Sequence, residues 1–288
     1  MQTHKKIYGI IGHPVKHSLS PAMQNAAFKE LGIDAEYLLY DVGSDALEDF
    51  LNGAAAKHIA GLNVTIPHKI KAKEYLERSG SLDETARRLG AVNTISLDES
   101  GSLRGFNTDG PGFYRSLVED LKFEPEGRPV FVLGAGGAAK AVVMYLGVGP
   151  SRISVFDIDR DKAAGLKDHY TRYFDGKKLN VITDEKDVRD ALDKSDLLIN
   201  ASPIGMRDTD PSPVGKDLFH TGLRVYDLVY NRPVTQLVKE ANSMKLHAVN
   251  GLGMLLYQGA IAFEIWTGRK APLAAMKRAL REAIKAGH

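Results

Sequence analysis

Short apolar runs alternate along the chain with longer stretches in which apolar residues recur every three or four positions. Lys6–Gly12 (KIYGIIG) is brief, rich in β-formers and bounded by Gly and Pro, which predicts a buried strand. Ser20-Pro21 opens a helix, with Ser20 as N-cap and Pro21 at the first helical position, where its missing N–H costs nothing. That helix runs to Leu31 and stops at Gly32. A strand over Glu36–Val42, a helix over Asp45–Lys57 and a strand over Ala60–Ile66, closed by Pro67, follow. Two helices are expected at Lys69–Arg78 and Leu82–Leu89. A hairpin then pairs Ala91–Leu97 with Ser102–Phe106 across Asp98–Gly101.

Near residue 125 the pattern changes. Pro129–Leu133 (PVFVL) is a continuous apolar run, as expected of a parallel strand buried on both faces. It feeds into Gly134–Ala139 (GAGGAA) and a helix to Leu146. Further β-like runs at Ile153–Asp157, Leu179–Thr183, Asp196–Ala201 and Leu223–Tyr230 are separated by helical segments, the first beginning near Asp161. This rhythm predicts a doubly wound parallel sheet. Two final helices, Met254–Thr267 and Pro272–Ala286, have no strand between them and could pack on either half.

Composition narrows the chemistry. The 288 residues carry 38 Lys+Arg against 36 Asp+Glu, a net charge of +2. That balance argues against a nucleic-acid or membrane-surface partner, which would normally require a basic excess. The apolar stretch before His13-Pro14 is too short for a signal-peptide core, and no run reaches membrane-spanning length, so a cytoplasmic protein is expected. Cysteine is absent. Disulfides, thiolate catalysis and Cys-based metal sites are thereby excluded.

Glycine supplies the first positive signal. Gly134, Gly136 and Ala139 satisfy G-x-G-x-x-G/A directly after a strand and at the mouth of a helix. The first glycine makes the tight turn, the second admits a pyrophosphate to the backbone, and the helix N-terminus offers aligned N–H donors. Asp157, at the end of the next strand, stands where an acidic residue holds an adenosine ribose hydroxyl. Methyltransferases share this geometry, so the glycines alone indicate an adenosine-containing ligand rather than hydride transfer.

Several polar clusters complete the picture. In order they are Ser18-Leu19-Ser20-Pro21, Asn63-Val64-Thr65-Ile66-Pro67-His68-Lys69, Ala91-Val92-Asn93-Thr94 and Asn107-Thr108-Asp109-Gly110. After the glycine turn come Asn200-Ala201-Ser202-Pro203, Gly205-Met206, Tyr230-Asn231 and the segment Asn250 to Ala260. This succession closely resembles the shikimate/quinate 5-dehydrogenase family over residues 7 to about 268. The resemblance implies an α/β fold: an N-terminal α/β substrate domain completed by C-terminal helices (1–112 and 252–288), with a Rossmann-type dinucleotide-binding domain (113–251) inserted. It also implies reversible reduction of 3-dehydroshikimate to shikimate by a nicotinamide cofactor, in aromatic amino-acid (chorismate) biosynthesis.

By the same resemblance, Lys69 and Asp109 are the catalytic pair. A hydride arriving at a carbonyl carbon makes an alkoxide, which requires a charge stabiliser and a proton source. A lysine within reach of the substrate oxygens can serve both needs, and a carboxylate beside it holds the ammonium; the sequence leaves open whether Lys69 is the proton donor or mainly positions the substrate and stabilises charge. Read without the motifs, Lys69 is a solvated first-turn lysine and Asp109 a helix N-cap. Ser18 and Ser20, at a helix N-terminus, suit the substrate carboxylate, and Tyr230 reaches it by resemblance. Asn63, Thr65, Asn93 and Gln258 would read hydroxyls and ketone. Cofactor contacts fall on Gly134, Ala135, Gly136, Gly137, Ala138, Asp157, Ile158, Arg160, Ser202, Gly253 and Met254.

Members that take the phosphorylated cofactor usually carry Asn-Arg-Thr after the second Rossmann strand. Here Asp157-Ile158-Asp159-Arg160 stands in its place. An aspartate opposes a dianionic phosphate, so NAD is expected over NADP, the family default; Arg160 and Lys162 keep NADP open. Arg232 before Pro233 departs from the usual Tyr-Asn-Pro and puts the loop beside Tyr230 in doubt. His13 and His17 lack an acidic third ligand, and no metal is expected. His68 reads as a surface or supporting residue. Met254, Phe263 and Trp266 read as core, and Lys277, Arg278, Arg281 and Lys285 as a solvated face. An NAD-dependent quinate or dual quinate/shikimate dehydrogenase is the alternative, with Ser20 favouring shikimate. A non-catalytic sensor is opposed by the intact pair, and a methylene-tetrahydrofolate dehydrogenase by the absence of its lysine motif. A monomer or homodimer acting on a small molecule is expected.

Overall fold

The computed structural model describes residues 5–147 and 149–286. It divides into two compact units, Met1–Asp109 with Leu256–His288, and Gly110–Leu255. The ends of the first expected domain, residues 1–4 and 287–288, and Val148 in the second lie outside the described residues.

In the first unit the strands are β1 (Lys6–Gly12), β2 (Ala35–Asp41), β3 (Ile59–Val64), β4 (Ser81–Leu82), β5 (Thr94–Leu97) and β6 (Leu103–Phe106). They form one sheet in the order β2-β1-β3-β5-β6-β4. β1 pairs in parallel with β2 and β3, whereas β5 runs antiparallel to β3 and β6. Two layers of side chains cover it. Ile11, Leu62, Val64 and Ile95 pack with Leu47 and Leu51 of α2 (Leu47–Asn52) and Ala72, Tyr75 and Leu76 of α3 (Lys69–Ser79). An aromatic cluster joins Tyr8 and Tyr37 to Phe28 of α1 (Ser20–Glu30) and to Phe263 and Trp266 of α10 (Leu252–Thr267), with ring centroids 5.0 to 6.1 Å apart. Trp266 Nε1–H donates to the Ile95 carbonyl at 2.9 Å. Gly61 makes the close approach possible, since a Cβ there would stand 2.8 Å from Trp266 Cε2. Phe263 is fully buried, a contribution of about 2–3 kcal/mol from a ring of that size. Three local expectations change. Leu82, expected to open a helix, lies in β4 and pairs with Gly105 of β6, and that helix begins at Glu84. Gly53 ends the helix expected over Asp45–Lys57, leaving α2 and a separate 3₁₀ turn. α1 begins one residue early, and the Ser18 hydroxyl rather than that of Ser20 accepts a first-turn N–H, from Ser20 at 3.3 Å.

The second unit contains β7 (Pro129–Leu133), β8 (Arg152–Phe156), β9 (Leu179–Ile182), β10 (Leu197–Asn200), β11 (Arg224–Asp227) and β12 (Ala248–Val249). Their order is β12-β11-β10-β7-β8-β9, parallel throughout. This is the doubly wound arrangement, in which the order reverses beside the first strand and leaves a ligand crevice at the strand C-termini. The two-residue β12 is too short to register as a periodic run. The core joins Phe131, Leu198 and Val225 to Leu192 of α8 (Lys186–Asp193) and Leu237 of α9 (Gln236–Ser243). No helix among the described residues is long and apolar enough to cross a membrane.

Candidate active site

In the first unit the polar clusters converge at strand ends. Lys69 is the first residue of α3 and Asp109 the first of α5 (Asp109–Glu119). Lys69 Nζ donates to Asp109 Oδ2 at 2.7 Å, the two side chains being 32% and 13% exposed. A cation at a helix N-terminus opposes the helix dipole, so this placement does not serve α3 itself. Asp109 is oriented twice more: its N–H donates to Asn107 Oδ1 at 3.0 Å, and its Oδ1 accepts from Asn93 Nδ2 at 2.8 Å. Asn93 Nδ2 also donates to Thr108 Oγ1 at 3.0 Å, while Asn93 Oδ1 accepts the Thr108 N–H at 2.7 Å. Asn93 thus spends both amide hydrogens on protein partners.

Asn63 is similarly engaged. Its Nδ2 donates to the Asn93 carbonyl at 3.2 Å and to Thr94 Oγ1 at 3.1 Å, and its Oδ1 accepts the Tyr37 hydroxyl at 2.6 Å. Burial pushes the Tyr37 phenol well above its ordinary range, partly offset by the Ser20 hydroxyl that reaches it. Thr65 is half-buried, with its N–H on the Ile11 carbonyl at 2.9 Å and its carbonyl accepting the His68 N–H at 2.9 Å. Ser18 is half-buried, and Gln258 is buried on α10. His68 is not a surface residue. It is fully buried, and its Nε2 meets the Val42 carbonyl at 2.6 Å, tying the segment after β2 to the start of α3. His13 pairs with Asp41 at 2.6 Å. Among the described residues, no group of three or more His, Asp or Glu side chains is arranged to hold a metal ion.

In the second unit the glycine turn links β7 to α6 (Gly137–Leu146). Gly134 has φ +102°, and a Cβ there would lie 2.9 Å from the Ala201 carbonyl oxygen, so a side chain is excluded. At Gly136 and Gly137 a Cβ would meet nothing within 4 Å. The N-cap, Gly136, has no side chain to spend on the first-turn N–H groups. Open space and free donors at that point fit a dinucleotide pyrophosphate. Asp157 is built into the turn: Oδ2 accepts the Ala135 N–H at 2.7 Å and Oδ1 the Asp159 N–H at 2.8 Å. Ile158 is 93% exposed, Arg160 is exposed, and Lys162 pairs with Asp159 at 3.0 Å.

Of the remaining cofactor candidates, Ser202 lies in the loop after β10, and Gly253 and Met254 lie at the start of α10. Ser202 Oγ donates to Asn200 Oδ1 at 2.7 Å, and Asn200 Nδ2 donates to Asp227 Oδ1 at 2.9 Å. Asp227 also accepts the Thr235 hydroxyl at 2.6 Å, which fixes the segment carrying Tyr230. Burial raises the Asp227 carboxyl above the usual carboxylate range. Arg232, the residue that interrupts Tyr-Asn-Pro, forms an ion pair with Asp208, and Asn231 Nδ2 donates to the Met206 carbonyl at 3.0 Å. The inserted arginine is therefore absorbed by a neighbouring loop. Tyr230 is 44% exposed, and Gly253 and Met254 are half-buried in the first turn of α10.

Sequence reasoning missed Tyr37, Thr94 and Thr108 as members of the polar network. Thr94 and Thr108 sit inside the clusters already singled out, which was a usable signal. Tyr37 lies in an ordinary β-run and gave none.

The family model for the shikimate dehydrogenase substrate binding domain matches residues 10–95, and that for the shikimate 5'-dehydrogenase C-terminal domain matches residues 251–281. A shikimate dehydrogenase (NADP(+)) of Methanopyrus kandleri is 44% identical over 97% of this chain and 96% of its own. A crystal structure of shikimate dehydrogenase in complex with NADP+ is 38% identical, covers 97% of this chain and 96% of that one, and has a TM-score of 0.88. Shikimate 5-dehydrogenase from Listeria monocytogenes in complex with shikimate and NAD is 34% identical, with coverage of 97% and 98% and a TM-score of 0.88. Quinate dehydrogenase from Corynebacterium glutamicum in complex with NAD is more distant, at 28% identity over 96% and 99%, with a TM-score of 0.88. The paired Lys69 and Asp109, the glycine turn and these full-length likenesses lead to one conclusion: the chain belongs to the shikimate dehydrogenase family.

Proposed function

We propose that the chain is an oxidoreductase that interconverts 3-dehydroshikimate and shikimate with a nicotinamide dinucleotide, in the biosynthesis of aromatic amino acids and in the cytoplasm. The observation that carries this is the 2.7 Å contact between Lys69 Nζ and Asp109 Oδ2, at the starts of two helices in the unit that also holds Ser18, Ser20, Asn63, Thr65, Asn93 and Gln258. When bound, the reduced nicotinamide supplies a hydride to the ketone carbon. Lys69 has two further N–H donors to offer substrate oxygens; it stabilises the negative charge on the former ketone oxygen and holds a proton for it. Asp109 holds the ammonium in place. Ser18 takes the carboxylate, the Ser20 hydroxyl being spent on Tyr37; residues 1–112 with 252–288 form the substrate domain, 113–251 the cofactor domain.

The preferred cofactor in this reading is NAD. Asp157 presents a carboxylate and Ile158 an uncharged side chain, while Lys162 is already paired with Asp159. Like charges in contact near a protein surface repel by about 4 kcal/mol, about three decades of affinity before salt screening. Initial rates with shikimate and quinate, each with NAD and NADP, test the proposal. Shikimate with NAD should give the largest kcat/KM. Dominant quinate turnover would favour the alternative, and a strong NADP preference would refute the charge argument.

A further inference from the structure

Six polar side chains form a connected buried path in the first unit. Ser20, Tyr37, Asn63, Asn93, Thr94 and Thr108 are each 4% exposed or less. Two backbone groups fix the direction of its bonds. The Thr108 N–H can only donate, so the Asn93 atom facing it is Oδ1, and Nδ2 faces Asp109. Thr94 Oγ1, 3.1 Å from Asn93 Oδ1, must then donate to it. The Asn93 carbonyl can only accept, so the Asn63 atom 3.2 Å from it is Nδ2, which also reaches Thr94 Oγ1. Asn63 Oδ1 is left facing Tyr37, whose hydroxyl donates to it. Flipping Asn93 would set donor against donor at the Thr108 N–H, and flipping Asn63 would set acceptor against acceptor at the Asn93 carbonyl.

We propose that Tyr37 and Thr94 are positioning residues: they lock a one-way chain of hydrogen bonds, Tyr37 to Asn63 to Thr94 to Asn93 to Asp109, that shows substrate only an acceptor on Asn63 and holds the Asp109 carboxylate toward Lys69. The proposal rests on the reading of Lys69 and Asp109 as the reacting pair. Tyr37 is well placed to anchor the chain. Its backbone is clamped by Asn25, through bonds of 2.8 and 3.0 Å, and burial keeps its phenol protonated. Chains aligned in one sense polarise and strengthen one another, so a break in the middle is felt at the end.

Each end of the chain predicts a different kinetic change. Tyr37→Phe leaves Asn63 Oδ1 without its donor, and KM for shikimate should rise about tenfold while KM for the nicotinamide stays within about twofold. Thr94→Val, of the same shape, should lower kcat about tenfold, and Thr94→Ser, which keeps the hydroxyl, should restore it to within about threefold. A purely structural role would lower the melting temperature without separating substrate KM from cofactor KM. Parental kinetics in both Tyr37→Phe and Thr94→Val, or equal losses in Thr94→Ser and Thr94→Val, would overturn the proposal. Lys69→Ala serves as the control: loss of turnover there beside unchanged Tyr37 and Thr94 variants rejects this inference alone, and activity in Lys69→Ala rejects the reading beneath it.

Discussion

Replacing Asp109 by Asn removes one charge and almost no volume, and the surrounding bonds dictate the consequence. The carboxylate accepts on both oxygens, from Asn93 Nδ2 at 2.8 Å and from Lys69 Nζ at 2.7 Å. An amide has one accepting atom. Asn93 cannot turn to accommodate it, because its own oxygen is held by the Thr108 N–H. The new Oδ1 therefore stays with Asn93, and the new NH₂ faces the ammonium, donor against donor. Lys69 loses a charge-assisted hydrogen bond of about 1.5–3 kcal/mol. If that bond aims the ammonium in the transition state, kcat/KM falls by about ten- to two-hundredfold. The assay follows reduced nicotinamide by absorbance during shikimate oxidation, with circular dichroism to verify folding. A folded Asp109→Asn variant within about threefold of the parent would refute the argument that Asp109 orients Lys69.

Two other perturbations probe the second unit. Gly134→Ala forces a side chain into φ +102° and against Ala201, so cofactor KM should rise about tenfold or more and the melting temperature should fall; an unchanged cofactor KM and melting temperature would sink the assigned turn geometry. Burial holds the Asp227 carboxyl above the usual carboxylate range, so the folded chain keeps a proton that the unfolded chain loses above pH ~4. Its contribution is complete below that value and is lost as pH rises through the elevated folded pKa, so stability declines across that window. Asp227→Asn does not ionise, and its urea midpoint should decline less between about pH 4 and 7 than the parent's. Parallel curves would contradict the raised carboxyl.

The Rossmann half was the more legible because its local signals agree. PVFVL forms β7 at the expected bounds, and the turn after it needs glycine at 134 for a reason visible in the fold. Less was legible where tertiary contacts override local chemistry. Ser20 looks like an N-cap from its neighbours, yet Leu19 holds that position, no side chain caps the helix, and the Ser20 hydroxyl is turned to Tyr37. Asp157 looks like a ribose ligand, and its first attachment is to the Ala135 N–H. His68 lies between Pro67 and Lys69 in an exposed-looking segment, yet it is buried against the Val42 carbonyl just after β2. Lys69 and Asp109 are 40 positions apart. Their meeting was carried by family resemblance, since periodicity holds no information about contacts at that separation.

The most direct measurement is the rate of shikimate oxidation by the purified protein and by its Lys69→Ala variant, with NAD and NADP in parallel. The account predicts turnover by the parent, faster with NAD, and a fall in kcat of about a hundredfold or more in the variant with cofactor binding retained. Absence of turnover with both cofactors, or a Lys69→Ala variant that turns over like the parent, would contradict it.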